Sequence, residues 1–208
     1  MIEALTGTGL AAAAGLNAYI PMLALGLLSR FTDVVTLPAG WSWLENPWAL
    51  GILGVLFVVE VVADKVPAVD HVNDIVQTVV RPAAGGIVFG SGTASETPAI
   101  SDPGGFLASG GWVPVAIGVV LALTVHLGKA GTRAVANTAT VGVAAPVLST
   151  LEDVSSVALV AAAILLPALV AVLLIGLVVG LVVGLVLLVR TARRRRARRR
   201  APGLAPTG

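Results

Sequence analysis

The feature that most constrains this chain is an apolar run from residue 154 to 190, which carries no charged side chain before Arg190. As one helix the run would be about 55 Å long, whereas the hydrocarbon core of a bilayer is about 30 Å thick. Pro167 interrupts the run, and proline removes a backbone donor from a helix interior. We therefore expect a broken last helix, in which residues 168–189 are long enough to cross a membrane.

The composition extends this interpretation to several spans. Of the 208 residues, 57% are hydrophobic and 12% are charged, and the mean hydropathy is +0.98. These values lie outside the range of soluble domains and are typical of a polytopic membrane protein. Because the chain contains no cysteine, disulfides, thiolate metal sites and cysteine nucleophiles are excluded.

Several apolar segments are near the length needed to cross a bilayer. They cover residues 5–29, 48–63, 72–92, 111–128, 132–150 and 154–190. The predicted fold class is therefore all-α, a membrane helix bundle of about six spans with a polar third helix. We expect residues 1–190 to form a single transmembrane helical domain and the Arg-rich residues 191–208 to form a disordered cytoplasmic tail.

The positions of the cations predict the orientation, because cytoplasmic loops carry an excess of Lys and Arg. With the Arg-rich tail in the cytoplasm and six crossings, the N-terminus is also cytoplasmic. Lys65, Lys129 and Arg133 then fall at cytoplasmic turns, and the loop 93–110, which has no Lys or Arg, falls outside. Arg30 disagrees with this orientation. The tail is expected to contact anionic lipid headgroups.

Polar residues recur at helical spacing inside the third expected span. On a helix, the members of this stripe fall within about 40° of one another, with Asn73 at its edge; they are Asp70, Asp74, Gln77 and Arg81. Glu60 and Asp64 form a carboxylate pair one helix earlier. Such a stripe on a valine-rich helix indicates a surface that faces the bundle interior or a water-filled cavity.

A second, more basic stripe runs from the fourth into the fifth expected span. It consists of His126, Lys129, Arg133, Asn137 and Thr140. These residues share one face only if the helix continues through Gly128 and Gly131, which lie at the expected break between the fourth and fifth spans.

Two interpretations of these charges compete, because each ionisable group at bilayer depth costs roughly 2.5 to 3.5 kcal/mol on insertion scales. In the first, Asp70 and Asp74 are hydrated near the cytoplasmic surface and pair with Lys65, Lys129 or Arg133 to hold the bundle together. In the second, the two stripes enclose a polar site that opens to the cytoplasm and is acidic on one side and basic on the other.

Several motifs together resemble the domain-of-unknown-function 4126 family of bacterial membrane proteins. The motifs are "GLNAYIP" (15–21), "EVVADKVPAVDHVND" (60–74), "RPAAGG" (81–86), "HLGKAGTR" (126–133) and "STLEDV" (149–154). The resemblance covers most of residues 5–190 and implies a multi-pass protein of the bacterial cytoplasmic (inner) membrane. It implies no established activity and no catalytic residues.

The first motif places an amide and a proline, Asn17 and Pro21, in the middle of the first span. They could create a broken helix with free carbonyls of the kind that transporters use, or only a proline kink that neighbouring helices repair. Near the C-terminus, Gly176, Gly180 and Gly184 align on one helix face. Such a face lets another backbone approach closely, and we favour packing within the chain over a homo-oligomer interface.

These features favour a transporter or channel-like permease for an ion or small polar solute. The alternatives are a non-transporting membrane assembly or envelope factor and, less favoured, an intramembrane enzyme acting on lipid phosphate. The two histidines do not form part of a nucleophile motif, and the "DHVND" segment (70–74) is a weak metal signal because its side chains diverge on a helix. We therefore expect no catalytic residues, no cofactor and no nucleic-acid partner, and a metal site is not predicted.

The residues expected along the substrate or ion pathway come from both stripes, the preceding carboxylate pair and the broken first span. They are Asn17, Glu60, Asp64, Asp70, Asp74, Arg81, His126, Lys129, Arg133 and Asn137.

Overall fold

The computed structural model describes residues 1–92 and 110–200; the side chains of 67, 68, 70 and 71 and most side chains after 186 are outside this description. Every regular element in these ranges is a helix, as predicted. In chain order the helices are α1 (Ile2–Leu16), α2 (Tyr19–Phe31), the short 3₁₀ helix η1 (Ala39–Glu45), α3 (Pro47–Ala63), α4 (Pro67–Gly92), α5 (Trp112–Thr140), α6 (Ala145–Leu165) and α7 (Ala168–Arg200).

Three helices in the described ranges are long and apolar enough to cross a membrane, namely α5, α6 and α7 as far as Val186. The pair η1 and α3, bent by 65°, makes a fourth if it acts as one span. The helices α1 and α2 are apolar but short. These helices are compatible with a membrane protein, but they do not confirm the expected count of six spans.

The boundary expected between the fourth and fifth spans is wrong. Residues 111–128 and most of the first half of 132–150 belong to one helix, α5. A glycine inside a helix costs only about 1 kcal/mol relative to alanine, and the Thr132 hydroxyl donates a 2.9 Å hydrogen bond to the Gly128 carbonyl across this segment. The helix ends instead after Thr140, where Val141 and Gly142 adopt left-handed backbone conformations.

The long apolar run near the C-terminus is broken at Pro167, as predicted, so that α6 ends at Leu165 and α7 begins at Ala168. The two helices run antiparallel. Ala163 and Val170 both lie beside Gly9 of α1, whereas Glu152 and Leu181 both lie beside α5, at Lys129 and Gly128. The helix α7 continues through the Arg-rich segment to Arg200, whereas disorder was expected from residue 191; residues 201–208 lie outside the described residues.

The first expected span, residues 5–29, consists of two helices between which the chain reverses direction. Near the start of α1, Thr6 donates a 3.0 Å hydrogen bond to the carbonyl of Ala163, close to the α6–α7 turn. At the end of α1, Leu16 meets Lys129 in the second half of α5. The helix α2 then returns, and Ser29 near its end bonds to Glu45 just before α3. The α1–α2 pair is therefore a helical hairpin whose two outer ends lie at the same end of the bundle.

The helix α1 forms the centre of the bundle and contacts α4, α5, α6 and α7. Its buried surface is unusually smooth, because residues 11–14 are all alanine and none is more than 2% exposed. Glycines allow a similarly close approach where α4 crosses α5 at Gly85 and Gly118. A Cβ added at Gly118 would lie 2.8 Å from the carbonyl carbon of Gly85, so these two backbones are in direct contact.

The glycine face of α7 does not pack within the chain, which corrects the favoured prediction for it. A Cβ added at Gly176, Gly180 or Gly184 would meet no atom within 4 Å. The three glycines instead line an apolar groove of about 650 Å³ between α5, α6 and α7. The homo-oligomer interface remains a prediction.

We predict that Gly118→Ala lowers stability, because the added methyl group forces α4 and α5 apart. Overpacking of a tight contact typically costs 1–3 kcal/mol, so the melting temperature in detergent should fall. The matched control is Gly54→Ala on α3, where an added Cβ meets nothing within 4 Å and stability should be unchanged or slightly higher. Equal melting temperatures for the two variants would contradict the close α4–α5 contact.

Candidate functional site

Charged side chains from four helices meet at one end of the bundle and form what we call the charged network. Its members are Glu60 and Asp64 at the end of α3, Asp74 and Arg81 of α4, His126, Lys129 and Arg133 of α5, and Glu152 of α6. The three cations are among the largest fully buried side chains of the described chain. The network therefore lies inside the bundle and not on its surface.

Helical spacing explains how two of these helices present their charges. On α4, Asp74, Gln77 and Arg81 repeat at intervals of three or four residues and share one face. On α5, the stripe from His126 to Asn137 stays on one face because the helix is continuous through Gly128 and Gly131. The sequence analysis required a continuous helix for these residues to share one face, and the structure has that helix.

Arg81 contacts four other acidic or basic groups. Its guanidinium donates to Glu60 Oε1 at 2.7 Å, and it lies 3.7 Å from Asp64 Oδ2 and 3.9 Å from Asp74 Oδ1. Its NH1 also contacts His126 Nδ1 at 3.0 Å. Because Arg81 is fully buried and guanidinium groups remain charged in proteins, this position holds a permanent positive charge.

The contact with Arg81 determines the protonation of His126. Arginine can only donate, so His126 Nδ1 must accept and the imidazole is neutral, with its proton on Nε2. That nitrogen lies 3.1 Å from the hydroxyl of Thr78, which in turn donates to the backbone carbonyl of Asp74. His126 therefore serves here as a neutral acceptor that orients Arg81.

Asp64 accepts more charged partners than the other carboxylates do. Its Oδ2 lies 3.1 Å from an Arg133 nitrogen and 3.3 Å from Lys129 Nζ. Its Oδ1 accepts a 2.8 Å hydrogen bond from Asn73, the residue at the edge of the α4 stripe. Asp64 thereby connects α3, α4 and α5.

The break between α1 and α2 contributes a backbone oxygen to the network. Because α1 ends at Leu16, this carbonyl has no helical partner, and Lys129 Nζ donates to it at 2.9 Å; a cation is favourable at a helix C-terminus. Asn17 supports the break, since its Oδ1 accepts from the backbone N–H of Tyr19 and its Nδ2 donates to Asp153. The interpretation as a broken helix is confirmed, and Asn17 acts beside the network.

Two carboxylates on α6, Glu152 and Asp153, take part in this arrangement although the sequence analysis did not place them in the site. Glu152 pairs with Arg133 through two contacts and lies 3.2 Å from Lys129. Asp153 holds Asn17 at 3.0 Å. The signal was present in the sequence, because an acidic pair in an otherwise apolar span requires a buried partner.

A cavity of about 300 Å³ borders the network between α4 and α5. Its polar lining consists of Asp74, Thr78, His126, Arg133 and Asn137. Asp74 Oδ1 and Asn137 Oδ1 have no hydrogen-bond partner among the described side chains. The two predicted stripes therefore meet, as expected, around a polar cavity.

The remaining predicted site residues lie behind the cavity or outside the description. Glu60, Asp64, Arg81 and Lys129 are almost fully buried and reach the cavity only through their partners. The side chain of Asp70 lies outside the described residues. The first of the two sequence-based interpretations paired Lys65 with Asp70 or Asp74. In the structure, Lys65 donates to the backbone carbonyl of Val61.

The charges of the network do not balance. Its described members are four carboxylates, of Glu60, Asp64, Asp74 and Glu152, and three basic side chains, of Arg81, Lys129 and Arg133, besides the neutral His126. Burying a charge costs several kcal/mol, which only close partners offset. Within the described chain, no group of three or more His, Asp or Glu side chains is arranged to hold a metal ion.

We predict that Asp64→Asn destabilises the protein by about 3–5 kcal/mol, because it leaves Lys129 and Arg133 buried with too little negative charge. Unfolding in detergent, followed by circular dichroism, measures this loss. Asp33→Asn, at an exposed position, is the control and should leave stability unchanged. Equal stabilities would show that the buried cations do not depend on Asp64.

The comparisons with known proteins agree with this arrangement of motifs. A family model described as a domain of unknown function (DUF4126) matches residues 4–187, which include every helix that contributes to the network. No curated protein and no solved structure shows a significant match. Since the family model covers most of the chain, the protein belongs to the DUF4126 family.

Proposed function

We propose that this protein is a transporter or channel-like permease for an ion or a small polar solute, and that the charged network and its cavity form the pathway. The observation that carries the proposal is the position of the break between α1 and α2. The Leu16 carbonyl, Lys129 and Asp64 meet there within hydrogen-bonding distance, beside a polar cavity.

Broken helices at membrane depth support transport on physical grounds. Irregular backbone in a bilayer is tolerated only where protein or a water-filled cavity satisfies its polar groups. Many transporters place their substrate and ion sites at such breaks, where helix ends supply unpaired backbone groups. Here α1 ends in the network, and the Asn17 side chain, instead of a continuing helix, satisfies the first backbone donors of α2.

The directions of the helices also support a revised membrane topology. If the Arg-rich end of α7 is cytoplasmic, alternation places the α6–α7 turn outside, the α5–α6 turn inside, residues 93–109 outside and Lys65 inside. The hairpin α1–α2 does not cross, so that five helices cross and the N-terminus lies outside. This replaces the sequence-based proposal of six crossings with two cytoplasmic termini, and it opens the cavity toward the cytoplasmic half.

Cysteine labelling in intact cells tests this topology, since the chain has no cysteine of its own. An impermeant thiol reagent added outside should label Glu3→Cys and Ser101→Cys but not Thr207→Cys. If Ser101→Cys alone is labelled, the N-terminus is cytoplasmic and residues 2–31 cross the membrane once. Labelling of Thr207→Cys would invert the whole orientation.

The alternative is a non-transporting membrane assembly factor, which one observation favours. Nearly every charge in the network has a close partner, and such buried ion pairs can serve only to fix the packing of helices. A purely structural network predicts that loss of charge affects folding alone. A transport site predicts loss of flux in protein that remains folded.

Asp74→Asn separates these two functions, because Asp74 lines the cavity and its nearest described cation is 3.9 Å away. We expect this variant to melt within a few degrees of the parent and to lose flux in proteoliposomes. The flux screen uses protons, alkali cations and small anions, with Asp33→Asn as the control that retains parental flux. A lower melting temperature, together with no flux for the parent, would favour the assembly function.

A further inference from the structure

Two acceptor oxygens deep in the protein have no donor. Glu60 Oε2 and Gln77 Oε1 lack hydrogen-bond partners, and their residues are only 1% and 2% exposed. Gln77 lies one turn before Arg81 on the same face of α4, and Arg81 binds Glu60, so the two orphan acceptors face the same part of the bundle. An unsatisfied buried polar group costs about 1–3 kcal/mol, so each of these oxygens still needs a donor.

The excess of carboxylates in the charged network points to the same deficit. Among the described side chains, four carboxylates face three basic groups, those of Arg81, Lys129 and Arg133. His126 is neutral because it accepts from Arg81. One added positive charge therefore balances these described groups.

We propose that the Glu60 carboxyl group is protonated at neutral pH, and that the ion which this site exchanges is the proton. As a statement about the transported ion, the inference rests on the function proposed above; as a statement about Glu60, it stands by itself. A proton on Oε2 makes this oxygen a donor in a region with an orphan acceptor and also cancels the excess charge.

A proton fits this place better than a metal cation. The Arg81 guanidinium lies 2.7 Å from the other oxygen of the same carboxyl group, and a second full positive charge beside it would be strongly repelled. A proton needs no ligand sphere. It forms a covalent O–H bond on Oε2 and leaves Oε1 free to accept from Arg81.

Among the four carboxylates, Glu60 is the deeply buried one with the fewest partners for a negative charge. Asp64 is held by Lys129, Arg133 and Asn73, and Glu152 by Lys129 and Arg133. Asp74, whose Oδ1 also has no hydrogen-bond partner, is 15% exposed at the cavity. Glu60 is 1% exposed and, among the described side chains, forms an ion pair with Arg81 alone.

Arg81 links this proton site to the cavity. One guanidinium nitrogen binds Glu60 and the other faces Asp74 at 3.9 Å. When Glu60 is neutral, the net attraction of Arg81 is toward Asp74. When Glu60 is ionised, Arg81 is attracted more strongly to Glu60. Protonation of the buried carboxyl group therefore changes the electrostatic state of a cavity-lining side chain.

Isotope-edited infrared spectroscopy of the reconstituted full-length chain tests the proposal. Protein labelled with carbon-13 at the glutamate side-chain carboxyl should show a protonated-acid C=O band at neutral pH. The band should be lost in Glu60→Gln and kept in the control Glu45→Gln. In Asp74→Asn the excess negative charge is already gone, so the band should disappear at a lower pH than in the parent.

The proposal is overturned if the parent shows no protonated glutamate band at neutral pH, or if the band persists in Glu60→Gln. Should Glu60→Gln fail to fold, the parent band and its altered pH dependence in Asp74→Asn still decide. The band is read without any flux. If the band is present and the protein transports nothing, the proton site is supported and the proposed transport function is contradicted. If flux is measured and the band is absent, transport is supported and the proton site is contradicted.

Discussion

The structure depends on one electrostatic constraint, the mutual burial of Asp64, Lys129 and Arg133. None of the three would be tolerated alone in a low-dielectric interior, because its desolvation costs several kcal/mol. Together they offset that cost, with Lys129 at 3.3 Å and Arg133 at 3.1 Å from the same carboxylate oxygen. The contact between the end of α3 and α5 follows from this requirement, and Lys129 and Arg133 extend it to Glu152 of α6.

The hairpin of α1 and α2 depends on the same buried charges. A chain reversal inside a bundle leaves backbone groups without partners, and these groups need donors and acceptors from neighbours. Lys129 supplies a donor to Leu16, and the Asn17 amide supplies an acceptor to α2 and a donor to Asp153. The ionic network and the reversal therefore stabilise each other, and neither is separable from the site.

Much of the site could be predicted from sequence because it depends on local periodicity. The stripe containing Asp74 and Arg81, and its basic counterpart from His126 to Asn137, follow from the 3.6-residue repeat alone. The continuity of α5 through Gly128 and Gly131 could not be predicted, since it depends on a few kcal/mol of tertiary contacts. The reversal of the chain at Asn17 could not be predicted either, because a break in a helix does not indicate the direction of the next helix. The open face at Gly180 shows the same limit: small residues permit close packing without supplying a partner.

The alanines at residues 11–14 have a mechanical consequence. A helix with bulky side chains interlocks with its neighbours and resists displacement along its own axis, but the side chains of residues 11–14 offer only methyl groups. The axial position of α1 is then set by hydrogen bonds along its length, from Thr6 to Ala163, from Ser156 to the Ala13 carbonyl and from Lys129 to Leu16. The central helix is thus held along its axis by a few hydrogen bonds. A change in the charge around Lys129 acts directly on the hydrogen bond at the C-terminal end of this helix.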